Sequence, residues 1–289
     1  MSRVTVITDS VAGIPGELAE EYQIRVVPTA YILYDGHSYI EGVTINAMEA
    51  YQLLRKNPDK FNTSPMSPAY LFDVYRELST KSQDILIITV SSALSAFYKS
   101  ASLAADLLRQ ESPETTIHIV DSKMVASGEG LIVLAAARAA AQGMKPNQVA
   151  DVAQRARGKT GTFFLFDTLR YVYRTGRAPK LVSIVGSTLG VKPLLRVSDN
   201  GELHPAGAVR TMESGIRRML ELVREDAGTD SLHFMIMHAD ALQAAEGLSE
   251  RIKQEFNCLS MLISDFSPVM GYGAGPGALT VGYHPELDF

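Results

Sequence analysis

Apolar and polar positions along the chain switch between two periods, and the switching points outline its elements. Residues 4–8 form a short apolar run of strand type, followed by a turn at Asp9-Ser10 and a helix-period segment over 15–22. Residues 24–27 begin a second extended stretch. Two strand-like runs at 31–34 and 37–40 flank Asp35-Gly36, which readily takes the positive φ angles of a tight hairpin turn. Amphipathic patterns over 46–55 and 68–80 predict helices on either side of a loop at 61–67. Residues 84–90 are almost continuously apolar, the mark of a parallel strand buried on both faces. A helix follows, expected to start near Leu94–Ser95 and to end near Gln110, then a strand at 117–120. A helix over 130–142 is stopped by Gly143, and Asn147 is expected to cap another that runs to about 157. This alternation implies a parallel sheet with helices on its faces.

The second half repeats the theme with more hairpins. Strands are expected at 162–166, 232–237, 259–264 and 279–283, and helices at 169–174, 211–225 and 241–256. The stretch 184–197 is broken by Gly186, Gly190 and Pro193, and Asp199-Asn200-Gly201 gives a second hairpin turn. The fold class is therefore α/β, with a parallel-sheet unit at 1–158 and a mixed-sheet unit at 159–289. The Gly158–Gly161 segment forms their boundary, and a ligand is expected at the junction.

Net charge narrows the partners. At −5 over 289 residues, the chain lacks the basic excess of a nucleic-acid binder. One cysteine, Cys258, excludes an internal disulfide and is expected in the core, and no Cys/His spacing suggests zinc. His118, His233 and His238 lie in or near apolar strands and read as structural. The N-terminal residues read as a first strand rather than a leader peptide, and the apolar helix near 131–141 contains Arg138 and is too short to span a bilayer. A cytoplasmic protein without stable membrane insertion is expected, as a monomer or weak dimer.

In an open α/β sheet, ligands meet the carboxyl ends of strands, where helices begin. Three such turns carry small polar groups: Asp9-Ser10, Ser91 to Ser95, and Asp121-Ser122. The middle one places several hydroxyls where unpaired N–H groups and the positive end of a helix dipole converge, an arrangement suited to an anion. A plain N-cap accounts for any one serine, but not for so many. Ser67 reads as a cap for the helix after Pro68, which leaves Thr63 and Ser64 unexplained. The glycines of 271–277 allow close backbone approach to a ligand or to another element. Arg170, Arg174, Arg177 and Lys180, with Arg210, form a basic set: a solvated face, or a dock for an acidic partner or phosphate. No nucleophile elbow, phosphate-binding loop or dinucleotide fingerprint is present.

Taken together and in order, these motifs resemble the DegV family: Asp9-Ser10, Thr63-Ser64 with Ser67, Ser91-Ser92-x-Leu94-Ser95-x-x-Tyr98-x-Ser100-Ala101, Asp121-Ser122, Leu169-x-Tyr171 with Gly176-Arg177, Lys192-Pro193-Leu194 and Gly275-Pro276-Gly277-Ala278-Leu279. The resemblance implies two α/β domains holding one long-chain fatty acid of palmitate, stearate or oleate type. It implies no other cofactor and no catalysis by the chain itself. A separate fatty-acid kinase would phosphorylate the bound carboxylate to an acyl phosphate for phospholipid synthesis. Thr63 and Ser95 would bond the carboxylate, with Ser64, Ser92, Ala96 and Gly273 completing the site; Arg177 and Arg210 would engage the kinase or its phosphates. Three positions depart from the family pattern. The loop reads Thr-Ser-Pro-Met-Ser rather than Thr-Ser-x-Pro-Ser, Ala96-Phe97 replaces Gly-Thr, and Gly273 stands where many members carry histidine. Two other readings stay open: a stand-alone enzyme on a small carboxylate or phosphate centred on Asp9, Ser95 and Asp121, and a lipid-sensing interaction protein.

Overall fold

In the computed structural model, which describes residues 4–177 and 190–287, the apolar runs of the first half become one parallel sheet. Its strands are β1 (Thr5–Asp9), β2 (Arg25–Val27), β6 (Asp84–Thr89) and β7 (Thr116–Asp121), in the order β2-β1-β6-β7. Ile85, Leu86, Ile87 and Ile88 are all buried, as a strand covered on both faces requires. Each buried aliphatic side chain contributes about 1.5–3 kcal/mol. A second sheet pairs the hairpin β3 (Ala30–Tyr34) and β4 (His37–Ile40) with β5 (Phe61–Pro65), in the order β4-β3-β5. Asp35 and Gly36 have φ of 50° and 81°, as the hairpin turn demands.

Helices α1 (Gly16–Tyr22), α2 (Ala47–Lys56), α3 (Pro68–Ser79) and α4 (Phe97–Glu111) belong to this half, with α5 (Ser127–Ala141) and α6 (Pro146–Lys159). Every residue of α5 except Arg138 and Ala141 is buried. A helix apolar on all sides must be enclosed, and α5 packs against β1 on one side and against β11 and β13 of the other half on the other.

That other half is a mixed sheet of β8 (Gly161–Leu165), β9 (Lys192–Val197), β10 (Leu203–Val209), β11 (Leu232–His238), β12 (Cys258–Asp265) and β13 (Leu279–Pro285). Its order is β10-β9-β8-β13-β11-β12; only β11 and β12 run parallel. Helices α7 (Arg170–Arg174), α8 (Met212–Ala227), α9 (Leu242–Glu255) and α10 (Pro268–Ala274) complete the described elements. The largest apolar cluster runs from Ile87 and Ala136 to Phe164, Phe166, Leu195 and Met235, so both large sheets contribute to it.

Four expectations are corrected. Residues 61–65 form a strand rather than a loop, because the backbone of Phe61 to Pro65 pairs with β3. Helix α4 begins at Phe97, later than the Leu94–Ser95 start, since Leu94 and Ser95 N–H groups both bond back to the Ser91 carbonyl in a preceding turn. Asn147 does not cap α6; Pro146 occupies the first turn, its preset φ replacing a cap. Residues 271–274 complete a short helix, launched by the Ser267 side chain accepting from the Met270 N–H. Cys258 is half-buried at the start of β12 rather than core. Lys180 and residues 184–189 of the expected broken stretch lie outside the described residues.

Candidate functional site

Helix α10, strand β5, the β6–α4 turn and helix α7 meet around one cavity that opens to solvent. Its walls are mostly apolar: Val11, Val90, Leu94 and Val125 from the first half, Phe164, Phe166, Val172 and Leu203 from the second. Phe164 and Phe166 stack with ring centres 5.5 Å apart. Four predicted site residues lie on the lining: Thr63, Ser95, Gly273 and Arg177. Alternation along β5 puts Thr63 and Pro65 on the lining and leaves Ser64 off it.

Ser95 arrives by a different route. Its Oγ accepts from the Phe97 N–H at 3.1 Å, so it does part of a cap's work at the start of α4. One accepted bond leaves the hydroxyl proton available to donate. The first-turn N–H groups of α4 lack intrahelical acceptors by construction, and the positive end of its dipole lies beside Ser95. The sequence-implied role of Ser92 finds no such placement. Ser92 is exposed, donates its N–H to Asp121 (3.2 Å), and its Oγ accepts from Lys123 Nζ (2.9 Å). Ala96 is exposed and, like Ser92, off the lining, as is Arg210 at the end of β10. Arg177 is exposed on the lining and donates to the Thr175 carbonyl.

Residues that the sequence did not single out complete the wall. Thr29, Thr175 and Met270 line it, as does Tyr272, whose hydroxyl donates to Asn62 at 3.2 Å and whose ring lies 5.2 Å from Phe61. Their signal in the sequence is that of ordinary core or loop, and only the tertiary arrangement distinguishes them. The glycine-rich segment earns its composition by packing: Gly275 has φ 79°, and a Cβ there would stand 2.1 Å from the Tyr171 ring. Gly273 differs, because a Cβ there would meet nothing within 4 Å. Ser91 holds the two halves together, its Oγ donating to the Gly201 carbonyl at 2.9 Å; a Cβ on Gly201 would lie 2.1 Å from that Oγ.

Behind the cavity sits a carboxyl cluster. Asp9 is wholly buried: Oδ1 accepts from Val11 N–H (3.1 Å) and the Thr29 hydroxyl (2.8 Å), and Oδ2 from Val90 N–H (2.8 Å). All three donors belong to lining residues. Burial pushes the Asp9 carboxyl up, and these donors oppose it. Glu129, equally buried, is held well above its ordinary value by burial first and then by the neighbouring Asp9 charge and hydrogen bond. Glu129 Oε2 has no donor; a protonated Glu129 resolves this by donating to Asp9, which already receives three donors and keeps the charge. Glu41 accepts from the Val269 N–H (3.0 Å) and bonds Ser10, whose Oγ lies 2.7 Å from that of Thr29; burial raises its carboxyl too. At Asp121 burial works against ionisation, but Lys123 and Ser92 outweigh it and hold the carboxyl low. No hydrogen bond joins Asp9, Ser95 and Asp121 to one another among the described residues. Among those residues, no group of three or more His, Cys, Asp or Glu side chains is placed to hold a metal, and no helix is long and apolar enough to cross a membrane.

Comparison with known proteins follows the same outline. The model of the DegV family, described as an uncharacterised protein family, matches residues 3–286. A DegV domain-containing protein of Caldanaerobacter subterraneus is 30% identical over 283 residues, covering 97% of this chain and 98% of the relative. A DegV family protein from Thermus thermophilus, described for its fatty-acid binding, superimposes with a TM-score of 0.88 at 26% identity, covering 98% of this chain and 100% of that one. DegV from Bacillus subtilis, described as a fatty acid binding protein, gives 0.85 at 26% identity over 99% and 100% of the two chains.

Proposed function

The chain belongs to the DegV family, and on that premise we propose that it binds one long-chain fatty acid of palmitate, stearate or oleate type in the cavity between β5, the β6–α4 turn and α10. The observation that carries this reading is the placement of Thr63 and Ser95, from separate elements, at one apolar-walled cavity. A buried carboxylate demands hydrogen-bond donors, and two hydroxyls beside a helix N-terminus supply them. A tail of about sixteen carbons at ~0.8 kcal/mol per methylene contributes on the order of 12 kcal/mol before ordering costs. The fatty-acid-binding relatives from Thermus thermophilus and Bacillus subtilis support the same ligand class. Thr63 and Ser95 are the carboxylate donors, with Gly273 leaving room beside them. Ser64, Ser92 and Ala96 act at most through the surroundings. The units 1–158 and 159–289 are the two walls of the site.

In this reading the chain is a non-catalytic, cytoplasmic carrier that presents the head group to a separate kinase, with Arg177 at the mouth and Arg210 outside it as docking cations. Mass spectrometry of organic extracts from the purified protein is expected to reveal an acyl ligand, and oleate is expected to bind the stripped protein. Absence of an acyl ligand together with failure to bind oleate overturns the carrier reading. For the kinase, Arg177→Glu and Arg210→Glu are expected to abolish acyl-phosphate formation by a fatty-acid kinase while sparing oleate binding. Normal phosphorylation of both variants removes the docking role.

A further inference from the structure

Arg174 is a cation whose surroundings do not balance it. Its guanidinium carbon lies 5.5 Å from the Tyr171 ring centre and 5.0 Å from that of Tyr272, so the planar group is held between two aromatic faces. Nε and Nη2 are buried and have no hydrogen-bond acceptor among the described residues. Buried donors left unpaired are rare in folded proteins, because each forfeits its hydration. Among the described residues the one carboxylate paired with it, Asp59, meets only Nη1 at 3.4 Å and is 74% exposed, so water screens it strongly. Stacking on tyrosine accounts for the orientation of the guanidinium but supplies no acceptor for its N–H groups.

The position of this charge gives it a use. Tyr272, one of the two stacking rings, lines the cavity, and so do Val172 and Thr175 on either side of Arg174 in sequence. Tyr272 also packs its ring at a tilt against Phe61 and bonds Asn62, which precede Thr63 directly. Gly273, the next residue after Tyr272, leaves open space on the lining, since a Cβ there would meet nothing within 4 Å. The neighbourhood thus holds a cationic side chain that has no full partner among the described residues. Between apolar walls an unneutralised charge acts over a longer range than in water.

We infer that Arg174 is the electrostatic positioning residue of the head-group site: held between Tyr171 and Tyr272, it supplies the positive potential that keeps the fatty-acid carboxylate ionised and turned toward Thr63 and Ser95. The inference rests on the fatty-acid reading and deepens it. Arg174 acts through space and through the rings, not as a contact donor. Its charge favours the ionised acid over the protonated acid, and over a neutral lipid of the same length.

The test is a carbon-13 titration of carboxyl-labelled oleate bound to the whole protein. Burial alone would raise the carboxyl's titration point; Arg174 is expected to hold it below the range of an ordinary carboxylic acid, about 4.3. In Arg174→Met the titration point is expected to rise by about one unit or more, a tenfold change in preference for the ionised form. Arg174→Lys is expected to restore most of that shift. Should the Met variant not fold, Arg174→Gln keeps a planar polar group between the rings and is read in the same way. Identical titration of bound oleate in wild type and the neutral variant overturns the inference while leaving fatty-acid binding intact, and so does a Lys variant that titrates like Met. Failure of wild-type protein to bind oleate overturns the fatty-acid reading itself, and this inference with it.

Discussion

Two polar turns lie side by side at the carboxyl ends of the paired strands β1 and β6, and they have opposite fates. At Asp9-Ser10 the polar groups are spent on one another and on the backbone: Asp9 takes three donors, and Ser10 joins Thr29 to Glu41. At Ser91 to Ser95 the chain satisfies some groups and leaves one facing the cavity. Ser91 ties down Gly201 and Ser92 turns toward Lys123, while Ser95 accepts a single bond and stays on the lining. The first turn is a frame and the second a binding edge, although both read in sequence as small polar residues after a strand. What separates them is whether other elements arrive to consume the donors. Thr29 and the Val11 and Val90 amides reach Asp9; the described residues offer Ser95 no acceptor.

The comparison breaks most visibly at Asp9. Asp9→Ala leaves the buried Val90 N–H unpaired, at about 1–3 kcal/mol, and takes the carboxylate from the Val11 N–H and the Thr29 hydroxyl, which keep only their weaker partners Thr29 and Ser10; a loss of about 2 kcal/mol or more is expected in chemical denaturation. A change under about 1 kcal/mol would deny the frame its role. Ser95→Ala is expected to be milder for the fold, about 0.5–2 kcal/mol as for a lost cap. For oleate it should be the more serious change: a hydrogen bond to a charged group contributes about 1.5–3 kcal/mol, so calorimetry should record at least a tenfold loss of affinity. Equal losses of stability and none of affinity would return Ser95 to a plain cap.

Glu129 sharpens the contrast through pH. Its folded carboxyl is held protonated well above the ordinary 4.5, whereas in the unfolded chain it ionises near that value. A raised pKa contributes stability that is complete below the unfolded value and is lost as pH rises through the folded one. Glu129→Gln, which removes this titration, should therefore gain on wild type progressively as pH climbs above 4.5, measured by urea unfolding across pH. A constant difference between the two proteins would place the shared proton elsewhere. The smallest effect is expected at Ser92→Ala: within about 0.5 kcal/mol in stability and unchanged in oleate affinity, because this side chain faces Lys123 in solvent.

Much of the frame was legible in the sequence because its signals are local. Asp35-Gly36 fixes a hairpin by its φ angles, and the run at 84–90 reads as a doubly covered strand. Thr63, Ser95, Gly273 and Arg177 came from family motifs and lie on one cavity. What escaped was set by partners distant in sequence. Residues 61–65 look like a loop until β3 pairs with them, and glycines 271 and 273 lie in a helix that packing against α2 and α7 supports. Ser92 and Ser95 have identical chemistry and sit three residues apart, yet one meets Lys123 and the other the cavity. Thr29 and Tyr272 carry no motif, since only the arrival of α10 beside β5 brings them to the site.

The central claim is that the cavity takes a fatty acid by its carboxylate and not merely by its tail. The direct measurement is the affinity of the stripped protein for oleate against oleyl alcohol, which share the tail and differ at the head. Oleate is expected to bind at least about tenfold more tightly, the equivalent of about 1.4 kcal/mol, and to lose that advantage in Ser95→Ala. Equal affinity for acid and alcohol in the wild-type protein would contradict the account.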